Sequence, residues 1–323
     1  MAIGARFVVG YALPAKKLPG MFLPSFLEHA ESRGIHFVSI DTDNPLEEQG
    51  PFDAIMHKIY HEEWYKRLSN YQQTHPSVLV IDPPASIERL HNRLSMLEAV
   101  ENLQLSEGEE TVGIPQQSVV NESQDISNVE LLTGLKFPIL AKPLVANGSV
   151  KAHDMSLIFT AEGLKKVQAP VVLQEFVNHG GILFKVYVAG EYSKCVVRTS
   201  LPDVQDDEKN TNEGILSFNQ ISNRALEQSA SAVADLLQAE MPSTNFISGL
   251  AKGLTKTLGL HLFNFDLIRD SKAKNRYNVI DINYFPGYEK LPAYESIMTD
   301  FFVQLSKDKA PYVITEIPKF ALE

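Results

Sequence analysis

The sequence predicts a mixed α/β (α+β) protein: a doubly wound parallel-sheet lobe at the N-terminus, then antiparallel central and C-terminal lobes. Three observations carry this expectation. Apolar strand signals alternate with helical stripes over the first 83 residues, the pattern of parallel sheets whose crossovers are helices. Three strand signals follow one another from Val171, the last two parted by a hairpin turn at Gly190-Glu191. A last pair, HLFNFDLIRD and RYNVIDIN, is joined by one short polar loop. At 323 residues, 44% of them hydrophobic, the chain is long enough for two or three lobes with real cores.

Composition narrows the function classes. The single cysteine, Cys195, sits in an apolar run, and no charged-then-apolar leader opens the chain, so a reducing, cytoplasmic home is expected. No apolar stretch approaches the roughly 20 residues that span a bilayer, which argues against membrane insertion. A net charge of −11 argues against nonspecific nucleic-acid binding. It does not exclude a polyanionic small molecule. Much of the acid falls in two stretches, Glu107–Glu110 and Asp203–Glu208, and screening over about 8 Å lets a distant pocket stay positive.

Taken in order, residues 7–13 (FVVGYAL) read as a strand and PSFLEHAESRG as a helix with Phe22, Phe26, Leu27 and Ala30 on one stripe and Gly34 as its stop. IHFVSI, DAIMHKIY, a helix over about 62–73 and VLVID complete the first lobe. Ligands of such sheets bind beyond the carboxyl ends of the strands, where Lys16 and Lys17 follow the first strand and His57 and Lys58 end a later one. From Pro84 to Leu105, Ile87, Leu90, Leu94 and Leu97 form a helical stripe, with Arg89 and Arg93 together on another face. Arg93 could reach a phosphate or only solvent. QQSVV and FPILAKP read as strands, the second carrying Lys142 and followed by an Asn147-Gly148-Ser149 turn. Residues from Pro202 to about Ser243 are polar and read as a mobile insertion with a Ser/Ala-rich helix candidate. A helix over FISGLAKGLTKTLG, the final hairpin and a helix near 294–306 close the chain.

The chemistry lies in the last hairpin. A symmetric register about the loop Ser271–Arg276 places Asp266 opposite Asp281 and Asn264 opposite Asn283. Opposed side chains have Cβ atoms about 5 Å apart, so two carboxylates there repel unless something compensates. A divalent cation would. Period-two alternation adds Asn283 to the face of Asp281, giving hard oxygen ligands that suit Mg²⁺ bridging phosphates. A one-residue slip would turn one carboxylate away. A second parity argument uses the hairpin before it. A turn at Ala189-Gly190 or at Gly190-Glu191 leaves Lys185, Arg198 and Ser200 on one face, where two cations and a hydroxyl suit an anion. Lys142, on an apolar strand, is placed to meet nucleotide phosphates. His153 is an ordinary loop histidine unless a phosphate lies beside it.

These residues resemble a known family. VVGYALPAKK, IMHKIY, IERLHNRLSMLE, FPILAKP, VVLQEFVNHGGILFKVYV, RTSLPDV, LFNFDLIRD and VIDINYFPGY occur in the order found in the inositol 1,3,4-trisphosphate 5/6-kinases, also called inositol tetrakisphosphate 1-kinases, the plant branch above all. The resemblance implies an ATP-grasp fold: an N-terminal lobe over 1–83 that faces the inositol phosphate, and an ATP-grasp region over 84–323. Within that region it implies a central lobe at about 106–177 and a C-terminal lobe from about 84–105 plus 178–323, with the insertion at about 203–245. It implies ATP and two Mg²⁺ ions, the metal held by Asp266, Asp281 and Asn283. Arg93, Lys142, Gln174, Glu175, Val177, Lys185 and Ser200 would contact ATP, with Glu175 and Val177 presenting backbone to adenine. Lys16, Lys58, His153, Lys185, Asn283 and Gly287 would contact an inositol polyphosphate, with Lys16 and Lys17 not told apart. Lys185, Arg198 and Asp281 would act on the transferred phosphoryl group. A monomer is expected. The rival readings are an ATP-grasp carboxylate–amine ligase and a non-catalytic sensor of nucleotides or inositol phosphates.

Overall fold

The computed structural model describes residues 6–103, 105, 108–122, 134–146, 154–205, 214–219 and 238–308. The chain divides into two compact units, one running up to Pro84 and resuming at Gly287, the other from Ala85 to Pro286.

The first unit holds β1 (Phe7–Ala12), α1 (Pro24–Ser32), β2 (Ile35–Ser39), β3 (Ala54–His57), α2 (Glu62–Thr74) and β4 (Leu79–Ile81). Its four strands are parallel in the order β2-β1-β3-β4. The β1/β3 junction is therefore the point where the strand order reverses, and Lys16, Lys17 and Lys58 follow those two strands. Pro24 opens α1 at a position that needs no N–H, Phe26 and Ala30 bury its inner face, and Gly34 leaves it with φ of 81°. A last helix, α5 (Tyr294–Lys307), packs on α1, with Phe302 edge-on to Phe37 at 5.1 Å and Tyr294 beside Phe26. The sequence expectation carried the C-terminal lobe to the end of the chain. In the structure, the described residues from Gly287 group with the first unit, where the aromatic face of α5 meets α1 and β2.

The second unit contains two five-stranded sheets. One is ordered β12-β8-β7-β9-β6, from β6 (Gln117–Val120), β7 (Ile139–Pro143), β8 (Asp154–Ile158), β9 (Val171–Glu175) and β12 (Ile215–Asn219), antiparallel throughout. The other is ordered β11-β10-β13-β14-β5, from β5 (Thr111–Gly113), β10 (Ile182–Ala189), β11 (Tyr192–Thr199), β13 (Leu262–Arg269) and β14 (Arg276–Tyr284). Only β5 is parallel to its neighbour there. Two further helices, α3 (Arg93–Glu101) and α4 (Thr244–Leu258), belong to this unit. Ser243 caps α4 by accepting from Phe246 N–H, Gly259 closes it in the left-handed region, and Phe246, Leu250, Leu254 and Leu258 bury its inner face.

Two expectations change here. Residues 215–219 are not part of a free insertion: they form β12, paired with β8, because Ile215 and its neighbours can extend that sheet edge. The Ser/Ala-rich helix candidate lies outside the described residues. The helix expected across 84–105 is broken at Asn92, whose carboxamide accepts from Leu94 N–H and so starts α3 afresh. Leu94 is consequently exposed, and Arg89 and Arg93 part company.

Candidate active site

The site of the second unit is built on three adjacent strands. Lys185 on β10 is the ladder partner of Asp266 on β13, and Asp266 is the partner of Asp281 on β14. The hairpin turn before it falls at Gly190-Glu191, with Ala189 paired to Tyr192, so Lys185 and Arg198 do share a face. Asn264 faces Asn283, as the symmetric register requires. The symmetry fails one residue further on. A bulge after Asp266 pairs Leu267 with Val279 and leaves Ile280 without a ladder partner. Its carbonyl is thereby available, and Lys142 Nζ donates to it at 3.1 Å.

Charge is balanced along this row. Lys185 Nζ meets Asp266 at 2.6 Å, and Arg93 Nη1 meets Asp281 at 3.0 Å while its Nε donates to Pro143 O. The break at Asn92 is what turns Arg93 inward; its side chain is only 11% exposed. Burial works against the Lys185 ammonium, but Asp266 first, with Asp281 and Tyr187, more than offsets it and holds the lysine above its ordinary pKa. The Asp266 carboxyl is itself pushed upward, by burial first and by Asp281, with Lys185 pulling it back. Two carboxylates at one ladder position thus need positive charge, which the protein supplies from two different elements.

Lys142 is 5% exposed and donates to Gln174 Oε1 at 2.8 Å as well as to Ile280 O. Both acceptors are neutral, so burial, together with Arg93, pushes Lys142 down to about 7 against the pull of the two aspartates. A phosphate beside it would restore the charge.

Next to this row, Pro115, Leu140, Gln174–Val177, His179, Ser200, Leu201, Ile268 and Ile280 line a cleft between the two sheets, with apolar walls from both. A flat ring fits such walls. The loop after β9 is latched to the segment after β11. Asp203 accepts from the N–H groups of His179 and Gly180, each at 2.7 Å, and Asn178 exchanges two 3.0 Å hydrogen bonds with Val204. Asp203 therefore belongs to the scaffold of the cleft rather than to an insertion. His179 carried no signal beyond a polar NHGG turn after an apolar strand, and Asp203 read only as the start of an acidic stretch.

The structure brings Arg93, Lys142, Gln174, Lys185, Asp266, Asp281 and Asn283 together: Arg93 and, at 2.6 Å, Asn283 Nδ2 bond Asp281, Lys185 bonds its ladder partner Asp266, and Lys142 bonds Gln174 beside them. Arg198 is exposed, and its guanidinium donates to the neighbouring Val197 O at 3.1 Å. His153 and the Asn147–Ser149 turn lie outside the described residues. Among the described residues no three His, Cys, Asp or Glu side chains cluster as a metal site. The candidate set is two carboxylates and an amide oxygen, an all-oxygen set suited to Mg²⁺, which usually keeps waters and phosphate oxygens as its other ligands.

Lys16, Lys58 and Gly287 belong to the first unit. Lys58 N–H donates to Ala12 O, fixing the lysine beyond the ends of β1 and β3. Burial, then Lys17 and Lys16, push its ammonium down to about 7. Lys17 is lowered too, by burial first, while Lys16 is exposed. Three lysines crowded against one another are a pocket for an anion. Glu289 lies against Gly287 and Gly20, so a Cβ at Gly287 would stand 2.6 Å from its carboxylate.

Comparison with known proteins decides the family. The family model described as the inositol 1,3,4-trisphosphate 5/6-kinase ATP-grasp domain matches residues 106–304, and the corresponding pre-ATP-grasp domain matches residues 8–87. The chain belongs to this family. It is 50% identical over 308 residues to inositol-tetrakisphosphate 1-kinase 5 of Oryza sativa subsp. japonica, covering 93% of this chain and 90% of the relative. It is 48% identical over 306 residues to inositol-tetrakisphosphate 1-kinase 1 of Arabidopsis thaliana, covering 93% and 96%. Among solved structures it resembles an ATP-grasp ligase of Chryseobacterium gregarium in complex with ADP and peptide, with a TM-score of 0.58, 12% identity and coverage of 95% and 98%. A macrocyclase of Microcystis aeruginosa gives 0.55, 14%, 92% and 99%. At such identities the ligases share the fold alone, which is ATP-grasp.

Proposed function

We propose that this protein is an ATP-dependent kinase that transfers the γ-phosphoryl group of ATP to a hydroxyl of an inositol polyphosphate, of the trisphosphate and tetrakisphosphate type on which its relatives are named. The observation that carries the reading is the opposed pair Asp266 and Asp281, flanked by Lys185, Arg93 and Lys142 in a family whose members are kinases.

The apolar cleft between the sheets takes the adenine, with Glu175 and Val177 presenting backbone to its edge and Ser200 to the nucleotide. Lys142 meets a phosphate of the bound triphosphate and gains full charge there. Asp266, Asp281 and Asn283 hold Mg²⁺, two ions in this reading. When bound, the metal supplies positive charge at the β- and γ-phosphate oxygens, where negative charge is greatest during transfer. Lys185 and Arg93, which pair with those aspartates in this structure, would bond phosphate oxygens of the nucleotide, and the exposed Arg198 would join them at the transferred group. Lys16 or Lys17, Lys58 and Gly287 bind phosphates of the acceptor, together with His153. No strong general base stands in the network. The residues position reactants and stabilise spread charge, which is what phosphoryl transfer asks of a protein.

The carboxylate–amine ligase reading draws only on the shared fold. The three crowded lysines of the first unit favour a polyanionic acceptor instead. The sensor reading is disfavoured by the complete set of metal ligands. Incubation with ATP, Mg²⁺ and a panel of inositol phosphates, followed by anion-exchange chromatography, tests the proposal. It should show ATP consumed in step with a more phosphorylated inositol. ATP consumed with no change in any inositol phosphate would overturn it.

A further inference from the structure

At the wall of the cleft, His179 links two elements through its ring. It is 7% exposed, its Nδ1 lies 2.7 Å from Val177 O, and its Nε2 lies 2.7 Å from Ser200 Oγ. A backbone carbonyl can only accept, so Nδ1 must carry a hydrogen. Burial lowers the pKa of His179 despite the neighbouring carbonyl and Asp203, so the ring holds one proton only at neutral pH. Nε2 is then a bare acceptor, and the Ser200 hydroxyl must spend its single hydrogen on it. The backbone that carries the ring is fixed on both sides by the bonds of Asp203 and Asn178.

We infer that His179 locks Ser200 Oγ as a hydrogen-bond acceptor, so that this hydroxyl recognises a donor on the nucleoside part of the bound nucleotide and not a phosphate oxygen. This rests on the reading of the cleft as the ATP site. A phosphate oxygen at neutral pH offers only lone pairs, and a serine with no hydrogen to give cannot bond it. Two groups of ATP share the required chemistry, a ribose hydroxyl and the exocyclic amine of adenine. His179 is thus a positioning residue: it touches no ligand in this account and acts through Ser200.

The test has two parts. NMR of isotope-labelled histidine in the full chain should find His179 protonated at Nδ1 and bare at Nε2; a proton on Nε2 overturns the inference. Dissociation constants are then measured for ATP, 2′-deoxy-ATP, 3′-deoxy-ATP and the purine riboside triphosphate that lacks the 6-amino group. Wild-type protein should bind one of the three analogues more weakly than ATP by up to about tenfold, the worth of one neutral hydrogen bond. Ser200→Ala should weaken ATP by a similar factor while leaving that analogue unchanged, and which analogue it is identifies the group. His179→Phe, which keeps the ring but frees the serine hydrogen, should narrow the ratio between ATP and that analogue. Equal weakening of ATP and all three analogues by Ser200→Ala assigns the serine to phosphate and overturns the inference alone. Failure of the wild type to bind any nucleotide would overturn the ATP reading and the inference with it.

Discussion

Asp266 and Asp281 face each other across β13 and β14, and each is held by a cation from a different element, Lys185 at 2.6 Å and Arg93 at 3.0 Å. The arrangement explains how two acids can share a partly buried ladder position before any ligand arrives. In the proposed site, a cation that satisfied the acids would leave Lys185 and Arg93 free for phosphate oxygens.

Asp281→Asn is expected to lower the rate of phosphoryl transfer by about a hundredfold or more, the scale for losing a preorganised charge contact in a phosphoryl-transfer site. It should leave the fold intact, with stability reduced by about 1–3 kcal/mol because Arg93 loses its charged partner. Steady-state kinetics and a denaturant melt check both. Near-normal turnover would remove Asp281 from the metal site.

Lys58→Ala is expected to raise KM for the inositol phosphate about tenfold or more while kcat changes little. The lysine also predicts a proton signature. With its pKa near 7 in the free protein, part of the Lys58 population is neutral at pH 8, and a bound polyanion would restore the charge. Calorimetry at pH 8 in buffers of different ionisation enthalpy should show proton uptake on binding. The uptake should shrink in Lys58→Ala; an identical uptake would place the proton elsewhere.

His57 supplies a stability prediction. It is fully buried, donates from Nε2 to Asp82 O at 2.9 Å, and burial pushes it down to about 4. An unfolded histidine takes up its proton near 6.5, so the unfolded chain binds more protons than the folded one between those values. Stability is therefore complete above about pH 6.5 and falls as pH drops toward 4, by on the order of 3 kcal/mol. Urea midpoints from pH 8 to 4 for wild type and His57→Gln measure it. Parallel losses in the two proteins would acquit the histidine.

Gly163→Ala tests β12, the strand that sequence reading assigned to a free insertion. A Cβ on Gly163 would stand 1.9 Å from the backbone oxygen of Gly214, the residue leading into that strand. A backbone atom cannot swing aside, so the variant should lose about 1–3 kcal/mol, with β12 displaced. Unchanged stability would show that this edge is not docked as described.

Much of this was legible in the chain itself. Period-two alternation and a short polar loop were enough to oppose Asp266 to Asp281, because both faces of that hairpin are packed and resist a slip. The four parallel strands and the lysines at their ends followed from alternating apolar patterns. What was not legible depended on local competition. The bulge at Ile280 leaves no mark in hydrophobic pattern, yet it creates an acceptor for Lys142. Asn92 fits a helical stripe as well as it caps a new helix, so the inward turn of Arg93 was open until the structure placed it on Asp281. His179 is one polar residue in an NHGG turn, and only three dimensions show its link to Ser200.

The most direct measurement follows the label from ATP carrying a radioactive γ-phosphate, incubated with Mg²⁺ and inositol 3,4,5,6-tetrakisphosphate. The label should appear in an inositol pentakisphosphate, one for each ADP formed, and a metal chelator should abolish the transfer. Label found only as inorganic phosphate, or unaffected by the chelator, would contradict the account.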